Sequence, residues 1–338
     1  MSPFRYGVSG FVVESVLPLR GLVPVDDDGR PPEYTVSRLD EAVRDSQPEW
    51  PRQPSGPRDF IRKSGREPDA WWLRTEDART HRVHPSTGLV EFDAGSSPGL
   101  ALTHSVVDFA LPNLLSCGER VVLHGALLET RTGCVAALGE SGVGKSTLAA
   151  RWVRSGRRFL SDDWFVLRRE GERLIAYPSH PSIRLRARDL ELAARGGVEE
   201  TDSPSAFSKV WYVFPPGSAV HGSEPRELRG VALLRRPGNG AGTARTVPLG
   251  SRDAMAGLVS ALVLLEIDSA ERWRTLLPLL ARVEAGVRME EVWLPEGADD
   301  EAGARDVMAA IEGLARGGAG ERTLPFAAAG KGADARGR

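Results

Sequence analysis

The chain has 338 residues, 41% of them apolar and 27% charged, with a formal net charge of -2. That length suits two domains, or one large domain with extensions, of ordinary globular composition. The near-neutral charge excludes a global basic field of the kind that draws in nucleic acid or an acidic membrane.

Two cysteines, Cys117 and Cys134, are too few for a disulfide framework or a zinc set. They read as reduced thiols of a cytoplasmic protein, Cys134 as a small buried hydrophobe. The opening MSPFRYGVSGFVVESVLPLRG has no basic region followed by an unbroken apolar run, so it is not a secretory signal. No apolar stretch approaches the roughly 20 residues that span a bilayer; the longest covers 261–267.

Taken in chain order, residues 10–15 read as a strand. The Pro-, Asp- and Arg-rich stretch 26–68 reads as long loops with one short helix near 37–44. Residues 71–74 and 89–92 flank a turn at 84–88, giving a hairpin or meander with one indole of Trp71–Trp72 packed inward. A ligand platform made by that Trp pair is the alternative. Residues 105–116 have helical apolar spacing with a kink or break at Pro112. The apolar runs 121–123 and 135–138 fit buried strands, and 147–154 continues as a helix ending near Gly156. A further buried strand follows residues 158–161. Strands are expected at 164–168, 174–177, 183–185, 210–214 and 231–234, helices at 253–266 and 270–282, and a disordered basic tail at 316–338.

The chemistry-bearing stretch is Gly139-Glu140-Ser141-Gly142-Val143-Gly144-Lys145-Ser146, followed by Thr147, which matches G-x-x-x-x-G-K-[ST] throughout. Backbone amides converge on an anion only where no Cβ obstructs them, hence Gly142 and Gly144. The helix that begins near Lys145 aims its N-terminal amides at the same phosphate. Lys145 then reaches the outer phosphates, and the Ser146 hydroxyl is a Mg²⁺ ligand. Nucleotide binding follows from this loop between a strand and a helix.

Two neighbours narrow the reaction. His124-Gly125 ends the strand before the loop and Asp162-Asp163 ends the strand after it, so both are expected at one end of a parallel sheet beside the loop. A carboxylate there takes a proton from a hydroxyl or helps hold a metal. A histidine nearby tunes that carboxylate by hydrogen bonding or charge.

Residues 121–186 resemble the catalytic domain of bacterial HPr kinase/phosphorylase, a serine kinase whose core is similar to phosphoenolpyruvate carboxykinase. The shared elements are LHG at Leu123 to Gly125, GESGVGKS, and FLSDD at Phe159 to Asp163, in matching order and spacing. A wider resemblance, carried by YGVSGFVVESVLPL, AYPSHPSIRLR and SKVWYVFP, is to HPr-kinase-related proteins of bacterial biosynthetic clusters. The resemblance implies ATP and Mg²⁺ held by the loop and Ser146, Asp162 as general base, and Asp163 supporting the metal or the base. It also implies His124 against Asp162, with Arg184, Arg186 and Lys209 as candidates for stabilising transferred charge. No counterpart is found of the glycine-containing signature that carries a metal-binding Glu in true HPr kinases, nor of their carrier-docking helix. The expected acceptor is therefore another hydroxyl, a Ser/Thr of a peptide or protein or a small-molecule alcohol.

The expected architecture is α/β. A β-rich N-terminal region (1–118) precedes a P-loop kinase core of the HPr kinase/phosphoenolpyruvate carboxykinase-like type (119–315), and a tail (316–338) follows. Oligomers are common in the family. Two rival readings remain: an ATPase, which needs a second acidic strand beside 135–138, for which 262–266 has the bare form; and a nucleotide-gated accessory protein.

Overall fold

The computed structural model describes residues 3–50, 61–64, 67–75, 79–93, 100–186, 199–201, 209–215, 217–236, 244–266, 268–294 and 301–316. Among these residues it is a mixed α/β architecture with three sheets.

The N-terminal sheet holds β1 (Phe4–Val8), β2 (Phe11–Ser15), β3 (Val23–Pro24), β4 (Tyr34–Arg38), β5 (Ile61–Lys63), β6 (Trp71–Arg74), β7 (Thr80–His84) and β8 (Leu89–Phe92). Their spatial order is β3-β1-β2-β4-β8-β7-β6-β5. The short helix expected at 37–44 is a strand end followed by α1 (Glu41–Arg44), capped by the Asp40 carboxylate. β7 lies between the two strands expected around 84–88, so the unit is a meander. Trp72 is buried and Trp71 half-buried, the two indoles lying on opposite faces of the strand.

The helical stretch before the core runs as α2 (Leu100–Ser105), a π turn (Val106–Ala110) and α3 (Leu111–Leu115). Pro112 explains the widened turn: it has no N–H for the Asp108 carbonyl, and the preceding Leu111 N–H reaches back five residues to Val106.

The central sheet begins with β9 (Val121–His124), β10 (Ala126–Thr130), β11 (Gly133–Leu138) and, after α4 (Lys145–Arg154), β12 (Phe159–Ser161). β13 (Trp164–Glu170) and β14 (Arg173–Pro178) follow. β15 (Ser182–Arg186), β16 (Glu199–Thr201) and β17 (Lys209–Val213) form a separate three-stranded sheet. β18 (Arg226–Arg235) is the spine of the central sheet. Its first two residues pair with β14, and the rest lie parallel to both β11 and β20 (Arg288–Trp293), which in turn carries β19 (Arg245–Pro248). α5 (Ser251–Ser260), α6 (Ala270–Gly286) and α7 (Glu301–Arg316) complete the described elements.

Alternation along the strands divides the interior into layers. Val135 and Ala137 of β11, with Ala232 and Leu234 of β18, pack under Leu148, Trp152 and Val153 of α4 and Ile311 of α7. The intervening Cys134, Ala136 and Leu138 face Phe165 and Leu167 of β13, Leu123 of β9, and α5 and α6. The opposite face of β9 and β13, through Val122, Trp164 and Val166, packs on the π turn and the N-terminal sheet. β11 is buried along its whole length, being covered on both faces.

The route to the loop differs from the parallel sheet expected. β10 runs antiparallel to β11, and β12 antiparallel to β10, so β11 and β12 point the same way with an opposed strand between them. Their ends, Leu138 and Ser161, reach one edge. The helix expected over 253–266 stops at Ser260. Leu262 then bridges Leu123 in antiparallel sense, and the Val263 N–H bonds the Val122 carbonyl. Burial wins over helical periodicity there, since Leu264 and Leu265 enter two different cores. The strand beside β11 that the ATPase reading required of 262–265 is therefore β18 instead. The expected tail lies outside the described residues except Arg316, which ends α7.

Candidate active site

The glycine-rich loop runs from the end of β11 into α4. Gly139, Gly142 and Gly144 have φ of 140°, 82° and 120°, a region costly for residues with a Cβ. At Gly139 a Cβ would stand 2.9 Å from the Leu234 carbonyl oxygen, so close packing on β18 also demands glycine. Gly144 is the N-cap of α4, whose first-turn amides lack intrahelical acceptors by geometry. Glu140 and Ser141 are exposed at the tip, where the Glu140 carbonyl takes the Val143 N–H; Thr147 is half-buried in the first turn. Lys145 is buried and donates from Nζ to the carbonyls of Gly139 (2.8 Å) and Glu140 (3.1 Å). Its ammonium thus lies across the mouth of the loop.

The Asp pair occupies the turn between β12 and β13. Asp163 has φ of 74°, a left-handed value that Asp tolerates better than most residues, and the two carboxylates take different partners. Asp162 is 1% exposed and accepts from the Ser146 hydroxyl and, through Oδ2, from the Arg184 N–H at 3.1 Å. Asp163 forms an ion pair with the Arg184 guanidinium through Nε.

These different partners split the pair electrostatically. Burial and the neighbouring Asp163 charge push Asp162 up to about 6. Burial alone would raise Asp163 too, but Arg184, then His124 and His104, hold it well below the usual carboxylate range. Two adjacent buried carboxylates ionise together only at high cost, and the one with the guanidinium keeps the charge. Arg184 responds in kind: burial disfavours its charge, yet Asp163 and Asp108 hold it protonated.

His124 ends β9. Its N–H bonds the Ala261 carbonyl at 2.7 Å, and the next amide, Gly125, bonds the Asp163 carbonyl at 3.0 Å. The ring hydrogen-bonds the Asp163 backbone and feels Lys145, so it sits beside Asp163 where Asp162 was expected. Burial, then the Lys145 and Arg184 charges, pull it down to about 4 against the pull of Asp163. The ring is neutral at pH 7 and acts by hydrogen bonding. Gly125 is required at this corner because a Cβ would meet the Ala137 carbonyl oxygen at 2.8 Å.

The remaining candidates divide. Arg184 joins the site, while Arg186 and Lys209 are register partners across β15 and β17 whose side chains lie outside the described residues. Arg236 was not anticipated from the sequence. It is exposed at the end of β18 and donates from Nε to the Val143 carbonyl at 3.0 Å, a second cation at the loop. Nothing in its local sequence marks it; only the pairing of β18 with β11 does. His104, Asp108 and His180, also unanticipated, connect to Arg184. The signal for the first two was a His and an Asp four residues apart within an apolar helical stretch.

A hydroxyl beside a carboxylate matches the hard-oxygen donors that Mg²⁺ takes together with substrate phosphates. Among the described residues no cluster of three or more His, Cys, Asp or Glu is arranged to hold a metal ion. The arrangement is a loop-and-helix end able to receive polyphosphate, two cations at its mouth, and a carboxylate poised to change protonation near neutral pH. Among the described residues no helix is long and apolar enough to cross a membrane.

No protein-family model matches the sequence, and no curated protein is significantly similar to it. Among solved structures the chain is similar to the HPr(Ser) kinase/phosphatase from Coxiella burnetii, at 15% identity and a TM-score of 0.30, over 58% of this chain and 88% of that one.

Proposed function

We propose that this protein is an ATP-dependent phosphotransferase with an alcohol acceptor, a Ser/Thr hydroxyl of a peptide or protein or a small metabolite in a biosynthetic pathway. The contact between the Ser146 hydroxyl and Asp162 carries the reading, because it sets a proton-accepting carboxylate against the first turn of the helix that would face the terminal phosphate.

Loop amides and Lys145 bind the β- and γ-phosphates, and Ser146 would ligate Mg²⁺, which when bound neutralises charge on those phosphates. Asp162 accepts the acceptor O–H proton as the new O–P bond forms and the bond to the β-phosphate oxygen breaks, releasing ADP. An Asp162 near 6 is ionised at neutral pH yet basic enough for this task. Asp163, expected to support the metal or the base, is committed to Arg184 and supports the base by fixing the turn. His124 braces the same turn through the Asp163 main chain.

Asp162→Asn tests the reading. MgATP affinity should stay within about threefold of the parent, while transfer to a phosphorylated product seen by mass spectrometry falls about 10²- to 10⁴-fold. Transfer at the parental rate would remove Asp162 as base. ADP release with no phosphorylated product from any peptide or alcohol offered would replace the kinase with an ATPase.

A further inference from the structure

A chain of buried polar groups leaves the Asp pair and enters the N-terminal region. His104 lies in the last turn of α2, and Asp108 sits four residues on in the π turn. His180 lies between β14 and β15, Ser182 opens β15, and Trp211 is in β17. None of these groups belongs to the phosphate-binding apparatus described above.

Donor and acceptor chemistry assigns each proton along the chain. The Trp211 indole N–H donates to Ser182 Oγ. The Ser182 hydroxyl then donates to His180 Nδ1 at 2.7 Å, and His180 Nε2–H donates to Asp108 Oδ1 at 2.6 Å. At the other end Arg184 Nη1, which always carries hydrogen, donates to His104 Nε2 at 2.6 Å. His104 is therefore the neutral Nδ1–H tautomer, a state that its burial favours.

Asp108 Oδ2 stands 3.2 Å from that same Nε2 and is buried with no hydrogen-bond partner among the described residues. One lone pair cannot accept from Arg184 and also serve as a donor to Asp108. The geometry spends it on Arg184 and leaves the carboxylate oxygen to act on the guanidinium by charge alone. Trp211 lies edge-on to both rings, with centroids 5.5 Å from His104 and 6.0 Å from His180, and limits their rotation. The guanidinium is thereby fixed between two acidic centres, Asp163 on one side and the His104–Asp108 pair on the other.

We propose that His104 and Asp108 are positioning residues of the phosphoryl-transfer site, supplied by the helical segment that precedes the core, which hold the Arg184 guanidinium against Asp163 and so aim Asp162 at the loop. This rests on the phosphotransferase reading above. The aim passes through Arg184 twice, since its guanidinium holds Asp163 while its own main-chain N–H holds Asp162.

The full chain with MgATP as probe tests it. His104→Leu removes the acceptor, and His104→Gln retains an acceptor oxygen at similar reach. Both should bind MgATP within about threefold of the parent, while ADP formation slows about 10²-fold in the Leu variant and returns to within about tenfold in the Gln variant. A second readout needs no turnover. Nitrogen-15 spectra of the imidazoles in the intact protein should show His104 as the Nδ1–H tautomer, with an Nε2 resonance that moves in Arg184→Met. Parental turnover in His104→Leu, or a His104 resonance indifferent to Arg184→Met, overturns the proposal. If His104→Leu does not melt cooperatively, the Gln variant and the spectrum decide. A parent that forms no ADP from MgATP with any peptide or alcohol offered would strike the phosphotransferase reading and leave the spectrum to decide this one.

Discussion

The two halves of the candidate site are built in different ways. The loop half is a single run, Gly139 to Thr147, whose proposed role rests on main-chain geometry between one strand and one helix. The carboxylate half is collected from His104, Asp108, His124, Asp162, Asp163, His180 and Arg184, brought together by four separate elements and the turns between them. The loop half therefore depends on a few backbone conformations. The carboxylate half depends on the packing of the N-terminal region against the core, through Val106 and Val107 on one side and Trp164 and Val166 on the other. Damage to the first should cost binding, and damage to the second should cost chemistry alone.

The largest effect should come from the loop half. Lys145 is its one buried cation among the described residues, and its Nζ already lies on the loop carbonyls. Lys145→Ala should lower kcat/KM for MgATP by about 10³-fold or more, with a large part of the loss in affinity, measured by calorimetric titration beside steady-state kinetics. Parental affinity in that variant would erase the division between the halves.

A smaller effect separates the two carboxylates. Asp162, raised by burial and by Asp163 to about 6, is protonated below that pH and then takes no proton from an acceptor. Asp163 remains ionised through the same range, because Arg184 overcomes its burial. The rate should thus fall about tenfold per pH unit below about 6, along a single limb. A profile that stays flat to pH 5 would show that the turn does not raise Asp162, and a limb retained in Asp162→Asn would assign it elsewhere.

Legibility in the sequence follows the same division. A contiguous loop announces itself because its residues are neighbours in the chain, and the flanking β11 and α4 are readable from apolar runs. The Asp pair and His124 are visible as motifs, but their partners are not: Arg184 turning to Asp163, and His124 leaning on that residue's main chain, depend on the β9–β10 corner and the antiparallel course of β10. β20 is not legible in the sequence because Glu290 and Glu291 interrupt its apolar pattern; in the fold Glu290 pairs with Arg288 and Glu291 with Arg235. At 261–265 the periodicity pointed to helix, and the burial of Leu264 and Leu265 in separate cores imposed an extended segment. Apart from the local Arg288–Glu290 pair, the deciding interactions join residues far apart in the chain.

The smallest expected effect is on stability, and it has the opposite sign to the effect on catalysis. In the unfolded chain Asp162 titrates near its ordinary value of 3.8, and in the folded chain near 6, chiefly through burial. Between those values the folded state binds more protons than the unfolded one, so stability falls as pH rises through the window and the full penalty stands above it. A difference of about two pH units corresponds to roughly 3 kcal/mol at most. Asp162→Asn removes the ionisation while keeping an acceptor for the Arg184 N–H and Ser146. The variant should melt a few degrees above the parent at pH 8, about 2–4 °C per kcal/mol for a domain of this size, with the gap closing toward pH 4. The loss of the Coulombic pull that Arg184 exerts on Asp162 lowers the gain, and a buried amide with one idle donor trims it further. A parent more stable than the variant at pH 8 would mean that Asp162 is held ionised by its partners after all. The carboxylate half would then be a structural ion-pair cluster, with no energy stored in the group assigned as base.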